Sequence, residues 1–155
     1  MDEAGAAPVT VSPEAFLAMG REVLARQPFS VLVGAELVAL EPGRCELAVD
    51  IAESLKQQHG FAHGGVVSYL ADNALTYAGG TAMRVPVVTS EYKINYLRPA
   101  LGERLIARAR ADHVGQSQAV CRCEVIVVRA GIEKVCAIAQ GTIARLSNAS
   151  DAKAE

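Results

Sequence analysis

Net charge is almost absent from this chain: 17 acidic residues face 15 basic ones over 155 residues, and the formal charge is −2. Proteins that hold nucleic acid or an anionic membrane through their electrostatic field carry a clear basic excess. No helix-turn-helix segment or basic domain precedes residue 30 either. The composition therefore predicts no nucleic acid or membrane partner, and any anionic ligand must be met by local cations.

Motifs for metal binding and redox chemistry are also missing. The four cysteines, Cys45, Cys121, Cys123 and Cys136, form no C-x-x-C pair, and none of the three histidines lies beside them. Cys121 and Cys123 fall on one face of a predicted strand, where cysteine packs as a small hydrophobic residue. We predict four buried free thiols, no metal site and no cofactor.

Both ends of the sequence lack a hydrophobic pattern. Residues 1–11 and 147–155 are small and polar, which predicts flexible tails around a single domain over residues 12–146. The first five residues are acidic and lack the charged-then-apolar order of a secretory signal. A cytoplasmic, reducing location is the resulting expectation.

Helical and strand patterns follow an order that predicts the fold class. Ser12 and Pro13 are suited to begin a helix that runs to about Arg26, and a second helix is predicted over residues 64–82. Period-two alternation predicts six strands: Ala35–Leu40, Arg44–Ile51, Val87–Leu97, residues 104–111, Gln118–Val128 and Glu133–Leu146. This order favours an α+β fold in which an antiparallel sheet wraps one central helix.

Charge is missing again from residues 61–83, where Asp72 is the only Asp, Glu, Lys or Arg. An Asp at mid-bilayer costs about 2.5–3.5 kcal/mol, which argues against a membrane span. An ionised group is costly to remove from water unless it is paired or has chemistry to perform. Upstream, His63-Gly64-Gly65 could begin a helix whose first backbone N–H groups are free for a ligand. Asp72 and this glycine-rich entrance form a candidate active site.

The separation of Gly64 and Asp72 suggests a second subunit. Eight helical residues span about 12 Å, so a carbonyl bound at Gly64 could not also reach Asp72 of the same chain. A second helix, antiparallel and related by a two-fold axis near Ser68, would bring the two residues together twice, which predicts a homodimer with shared sites. These patterns leave open the alternative that His63 and the glycines only cap a helix and that Asp72 is held by structural donors.

Three sequence features point to a known family. They are the His63-Gly64-Gly65 triplet, the acid nine residues after this histidine, and the Thr89–Pro99 segment, Thr-Ser-Glu-Tyr-Lys-Ile-Asn-Tyr-Leu-Arg-Pro. Over about residues 30–146 the chain resembles the hotdog-fold acyl-CoA thioesterases, in the phenylacetate-pathway (PaaI-like) branch. The resemblance implies a curved antiparallel sheet of about six strands around a long helix, and a dimer in which the acid of one subunit faces the glycine of the other.

The resemblance also implies roles for individual residues in acyl-CoA hydrolysis. Gly64 N–H would polarise the thioester carbonyl, and Asp72 would act either as general base or as nucleophile. Gln57 would face the carbonyl, and Ser90 would orient the attacking water. His63 is a further candidate, for which shaping the loop is favoured over proton transfer.

Other candidates concern substrate binding. Thr76 matches a supporting hydroxyl in a related branch, and Gly65 belongs to the same helix entrance as Gly64. Arg98 and Arg84 are candidates for contacts to the phosphates of CoA, with ordinary solvated charges as the alternative. The candidates to line the acyl chain are Tyr69, Tyr77, Phe61, Met83 and Leu70, and those to line a solvated sheet face are Arg104, Arg108, Arg110 and Arg122.

Two rival functions would use the same groove. A non-catalytic acyl-CoA sensor would bind substrate without releasing CoA, and a hotdog hydratase or dehydratase would act on the carbon chain of an enoyl-CoA. The Gly64-Gly65 pair after His63 fits the thioesterase branch better. The acyl group, the choice between CoA and acyl carrier protein, and the pairing of dimers into a tetramer stay open.

Overall fold

The computed structural model of the protein describes residues 11–146. This part of the chain contains three α-helices, α1 (Pro13–Ala25), α2 (Pro28–Leu32) and α3 (Gly64–Met83), and a short 3₁₀ helix (Glu53–Leu55). Its six strands are β1 (Ala35–Glu41), β2 (Arg44–Asp50), β3 (Val87–Tyr96), β4 (Arg104–Val114), β5 (Gln118–Arg129) and β6 (Ile132–Arg145). The predicted tails, 1–11 and 147–155, lie outside the described residues except for Val11.

The N-terminal region begins as predicted and then adds a second helix. Ser12 Oγ accepts a hydrogen bond from Ala15 N–H at 3.2 Å, and Pro13 occupies the first turn of α1. Pro28 stops this helix but also begins α2, because a proline in the first turn of a helix sacrifices no intrahelical hydrogen bond. The prediction of a single N-terminal helix therefore missed α2.

The six strands form one sheet in the order β1-β2-β4-β5-β6-β3, and every neighbouring pair is antiparallel. One face of this curved sheet packs on α3, which contacts all six strands. Leu47, Leu70, Leu75, Leu105 and Val125 are fully buried between the two layers. The predicted α+β hotdog architecture is confirmed. No helix within residues 11–146 is long and apolar enough to cross a membrane.

Gly79 allows α3 to lie very close to the sheet. A Cβ atom at this position would stand 2.7 Å from Ile143 Cβ and 2.8 Å from both of its Cγ atoms. A glycine normally weakens a helix, yet α3 continues through Gly79-Gly80 to Met83. The close packing against β6 explains why the helix carries glycine here.

We expect Gly79→Ala to lower the free energy of unfolding. Overpacking a dense core costs about 1–3 kcal/mol, which exceeds the gain of about 1 kcal/mol in helix propensity. Urea denaturation of the variant and the wild type measures the difference. Gly64→Ala is the matched control, since its methyl group would meet Tyr96 at an ordinary 3.6 Å. Equal stability of the two variants would contradict the explanation.

The four cysteines are buried free thiols, as predicted. Burial raises the pKa of Cys121 and of Cys136 to about 11 and that of Cys123 to about 12. Near neutral pH these groups are therefore protonated, and a thiol is a poor nucleophile compared with a thiolate. The folded protein should contribute little background to assays that detect thiol release.

The outer face of the sheet carries the predicted solvated arginines, each paired with at least one carboxylate. The ion pairs join Arg104 to Glu36 and Asp50, Arg108 to Glu46 and Glu133, and Arg110 and Arg122 to Asp112. The prediction that these arginines line a wet sheet face is confirmed. Their charges are offset within the protein.

Candidate active site

The entrance of α3 presents one unengaged backbone N–H group. His63 is the N-cap, and its Nδ1 accepts a hydrogen bond from Gly65 N–H at 2.8 Å. The His63 carbonyl accepts from Val66 N–H at 3.0 Å and from Val67 N–H at 3.3 Å. Within residues 11–146, Gly64 N–H has no acceptor. The predicted free donor is thus Gly64 alone, because His63 already engages Gly65 and shapes the loop.

A groove of about 640 Å³ opens beside Gly64 and Gly65. Tyr96 lies on its wall, where its hydroxyl donates to Gly64 O at 3.1 Å, and Arg98 lines the same groove. Gly64 and Arg98 therefore line the same groove, and the contact of Arg98 with CoA stays a prediction. Arg84, the other arginine proposed to contact CoA, caps the opposite end of α3, about 30 Å from Gly64 along the helix.

Asp72 is half-buried in the middle of α3. Its Oδ1 accepts a hydrogen bond from Thr89 Oγ1 at 2.7 Å. Thr76 Oγ1 lies 2.8 Å from Thr89 Oγ1 and donates to the Asp72 carbonyl at 2.9 Å. Among the described residues, no salt bridge involves Asp72 and no hydrogen bond engages its Oδ2. One carboxylate oxygen is held in place, and the other keeps its lone pairs for water or substrate.

The hydroxyl beside Asp72 belongs to Thr89 and not to Ser90. A β-bulge lies between Thr89, which pairs with Ile143, and Glu91, which pairs with Thr142, so Ser90 has no partner across the ladder. Ser90 is exposed, and within residues 11–146 it makes no hydrogen bond to Asp72. The role of Ser90 in orienting the attacking water stays a prediction. Thr89, whose orientation depends on the bulge formed with β6, was not among the predicted site residues.

Three hydroxyl groups of β3 contact α3 at intervals of one helical turn. Tyr96 Oη bonds Gly64 O at 3.1 Å, Tyr92 Oη lies 2.5 Å from Ser68 Oγ, and Thr89 Oγ1 bonds Asp72 Oδ1. The bulge makes this possible, since it shifts the alternation so that both Thr89 and Tyr92 face the helix. The polar side chains of Ser68, Asp72 and Thr76, which follow one another at four-residue intervals on α3, are therefore aligned against an edge strand.

Gln57 lies in a tight loop before α3. Its backbone N–H donates to Phe61 O at 3.0 Å, and its side-chain Oε1 accepts from His59 N–H at 2.7 Å. The structure places no hydrogen bond between Gln57 and Gly64 or Asp72 within residues 11–146. The role of Gln57 opposite the carbonyl stays a prediction, with its side-chain amide N–H groups as the available donors.

Two of the residues proposed to line the acyl chain belong to the core. Leu70 is fully buried against the sheet, and the Tyr77 hydroxyl donates to Gly20 O at 2.9 Å. Phe61 instead lines the groove beside Gly64. Tyr69 is half-buried, and its ring meets Phe29 at a centroid distance of 5.1 Å.

Comparison with known proteins identifies the class. A sequence profile described as the thioesterase superfamily matches residues 59–130. A thioesterase family protein of known structure from Silicibacter pomeroyi is 37% identical, with 85% of this chain and 99% of that one covered and a TM-score of 0.81. The chain therefore belongs to the thioesterase superfamily and is a thioester hydrolase.

Within this superfamily the chain falls in the PaaI-like branch. It is 35% identical to a variant of the phenylacetic acid degradation protein PaaI from Thermus thermophilus, with 77% of this chain and 100% of that one covered and a TM-score of 0.68. Acyl-coenzyme A thioesterase PaaI from Escherichia coli is 27% identical over 95 residues, 61% of this chain and 67% of that protein.

Proposed function

We propose that the protein hydrolyses acyl-CoA thioesters at sites shared between two subunits. Gly64 N–H of one subunit polarises the thioester carbonyl, and Asp72 of the other delivers water or attacks the carbonyl itself. The observation that carries this proposal is the placement, on one helix, of an unengaged N–H donor and a half-buried carboxylate with one unoccupied oxygen.

The length of α3 supports the second subunit. Gly64 and Asp72 are eight residues apart, or about 12 Å along the axis, which exceeds the reach of one thioester group. Both Asp72 and Thr76 remain partly exposed in the single chain, beside β3, the edge strand of the sheet. An antiparallel partner helix crossing near Ser68 would cover both residues and would complete two identical sites.

The chemistry follows from the two groups. In the general-base course, Asp72 takes a proton from water as the water oxygen bonds to the thioester carbon. Gly64 N–H, at the positive end of the helix, stabilises the oxyanion that forms. The carbon–sulfur bond then breaks, and CoA leaves as a thiolate that takes up the proton. In the nucleophilic mechanism, the Asp72 carboxylate bonds to the acyl carbon, the carbon–sulfur bond breaks, and CoA leaves as a thiolate. Water then hydrolyses the resulting anhydride, which restores the Asp72 carboxylate and supplies the proton that the thiolate takes up.

A panel of acyl-CoA thioesters with a thiol-detecting reagent tests the proposal. We expect release of free CoA. The thioester with the highest rate of release identifies the preferred acyl group. Hydration of an enoyl-CoA without release of CoA would instead favour the hydratase. Binding of acyl-CoA without any turnover would overturn hydrolysis in favour of a sensor.

We expect Thr89→Val to reduce kcat/KM by about 10–100-fold. A hydrogen bond to a charged group contributes about 1.5–3 kcal/mol, and its loss frees the Asp72 carboxylate to rotate. Thr89→Ser keeps the hydroxyl and should restore most of the activity. Ser90→Ala tests the neighbouring hydroxyl of β3, and a loss as large as that of Thr89→Val would support the predicted role of Ser90 in orienting water.

A further inference from the structure

A second groove lies next to the one that contains Gly64. It has a volume of about 400 Å³ and lies at the tight turn between β5 and β6. Arg98 and Pro99 line both grooves, so the two grooves are neighbours on the surface. We call this second groove the hairpin groove.

The hairpin groove is basic. Arg98, Arg129 and Lys134 line it, and among residues 11–146 no carboxylate does. Within residues 11–146 none of the three takes part in a salt bridge, whereas the four arginines of the outer sheet face named above are all paired. Two acids flank the turn but are engaged elsewhere: Glu103 Oε2 accepts a hydrogen bond from Ala130 N–H at 3.1 Å, and Glu133 pairs with Arg108. Three uncompensated cations in a chain of net charge −2 form a local site for an anion.

The same groove has apolar walls. The side chains of Leu101 and Ile132 line it and are 47% and 62% exposed. The turn that holds Ile132 is tight, with positive φ at both Ala130 and Gly131. A rigid two-residue turn of this kind fixes the position of the residues that flank it. Cations next to fixed apolar side chains suit a ligand that combines phosphate groups with a flat base.

We propose that the hairpin groove binds the 3′-phosphorylated ADP end of CoA. Arg98, Arg129 and Lys134 pair with the phosphates, and the adenine packs on Leu101 and Ile132. This proposal rests on the proposed acyl-CoA hydrolysis and adds Arg129 and Lys134 as residues that select CoA. The volume lies within the range of small-molecule sites, and the shared wall of Arg98 and Pro99 suits one ligand that spans both grooves better than a carrier protein.

The test compares two substrates that share one acyl group. Acyl-CoA carries the nucleotide, and acyl-pantetheine lacks it. In the Arg129→Ala/Lys134→Ala double variant we expect KM for acyl-CoA to rise about tenfold at unchanged kcat, since two phosphate contacts are lost. KM for acyl-pantetheine should stay at the wild-type value. Inhibition by adenosine 3′,5′-bisphosphate should be lost in the same variant.

Arg44→Ala is the matched control, because Arg44 begins β2 at the other end of the sheet and has no salt bridge within residues 11–146. An equal rise of KM for both substrates, or no rise for acyl-CoA, would overturn the proposal. If the double variant lost activity on an acyl carrier protein thioester but not on acyl-CoA, the groove would be assigned to the carrier protein instead. If the wild-type enzyme hydrolysed no acyl-CoA, the proposed function itself would be refuted. If its KM were equal for acyl-CoA and acyl-pantetheine, only the nucleotide site would be refuted.

Discussion

Replacing Asp72 with asparagine should reduce kcat for acyl-CoA hydrolysis by about 10²–10⁴-fold. The substitution keeps the shape of the side chain, and its amide oxygen can still accept the hydrogen bond that Thr89 donates to Oδ1. It removes the negative charge, so the side chain can neither take a proton from water nor attack the carbonyl. Steady-state release of CoA measures the loss.

Glu91→Gln is the matched control, because it removes a different carboxylate charge close to the site. Glu91 also lies on β3, where it is exposed and accepts a hydrogen bond from Thr142. We expect this variant to keep the wild-type rate. If Asp72→Asn kept the wild-type kcat, Asp72 would not be a catalytic residue and would have only a structural role.

Oxygen-18-labelled water can distinguish the two courses open to Asp72. With enzyme in excess over substrate, direct attack by water places the label only in the released acid. Label found in the Asp72 carboxylate would require the nucleophilic course, since only an anhydride exposes this group to water. Mass spectrometry of the peptide that contains Asp72 gives the answer.

Gly64→Pro should lower kcat by about 10²–10³-fold, the usual effect of removing one oxyanion donor. Proline has no backbone N–H, yet it suits the first residue of a helix, which Gly64 occupies. His63 has φ −62° and ψ 138°, an extended conformation that a following proline favours. Gly64→Ala keeps the N–H and fits 3.6 Å from Tyr96, so it should retain most of the activity.

A heterodimer of Asp72→Asn and Gly64→Pro subunits tests whether the sites are shared. If each site takes Gly64 from one subunit and Asp72 from the other, one of the two sites is intact and about half of the wild-type activity returns. Subunits carrying two different affinity tags allow the heterodimer to be purified. An inactive heterodimer would place both residues of each site in one chain and would contradict the shared arrangement.

Much of the fold could be predicted because its signals are local. Ser12 and Pro13 mark the start of α1, and the period-two patterns locate all six strands of the sheet. The missed helix, α2, has only five residues and begins at Pro28, which a local reading takes as the end of α1. A segment this short has no periodicity of its own and is held by its contacts with the rest of the protein.

The candidate site was also predictable only where its residues carry a local sequence signal. Asp72 and the glycine pair at Gly64 stand out in the sequence because one lies alone in an uncharged stretch and the other precedes a helix. Thr89 could not be separated from Ser90, because their orientation depends on a bulge formed with β6, far away in the chain. The engagement of Gly65 N–H by His63 likewise became evident only from the geometry of the cap.

By itself the sequence determined the α+β class, the helix that carries Asp72 and the resemblance to the hotdog thioesterases, since helix starts, alternation and short motifs depend on neighbouring residues. Only the tertiary structure decided which hydroxyl holds Asp72 and which cations meet at the hairpin groove. Arg129 and Lys134 are neighbours across the hairpin turn, whereas Arg98 is brought beside them by the pairing of β3 with β6. Contacts of that kind are set by sheet register and packing, which no local pattern encodes.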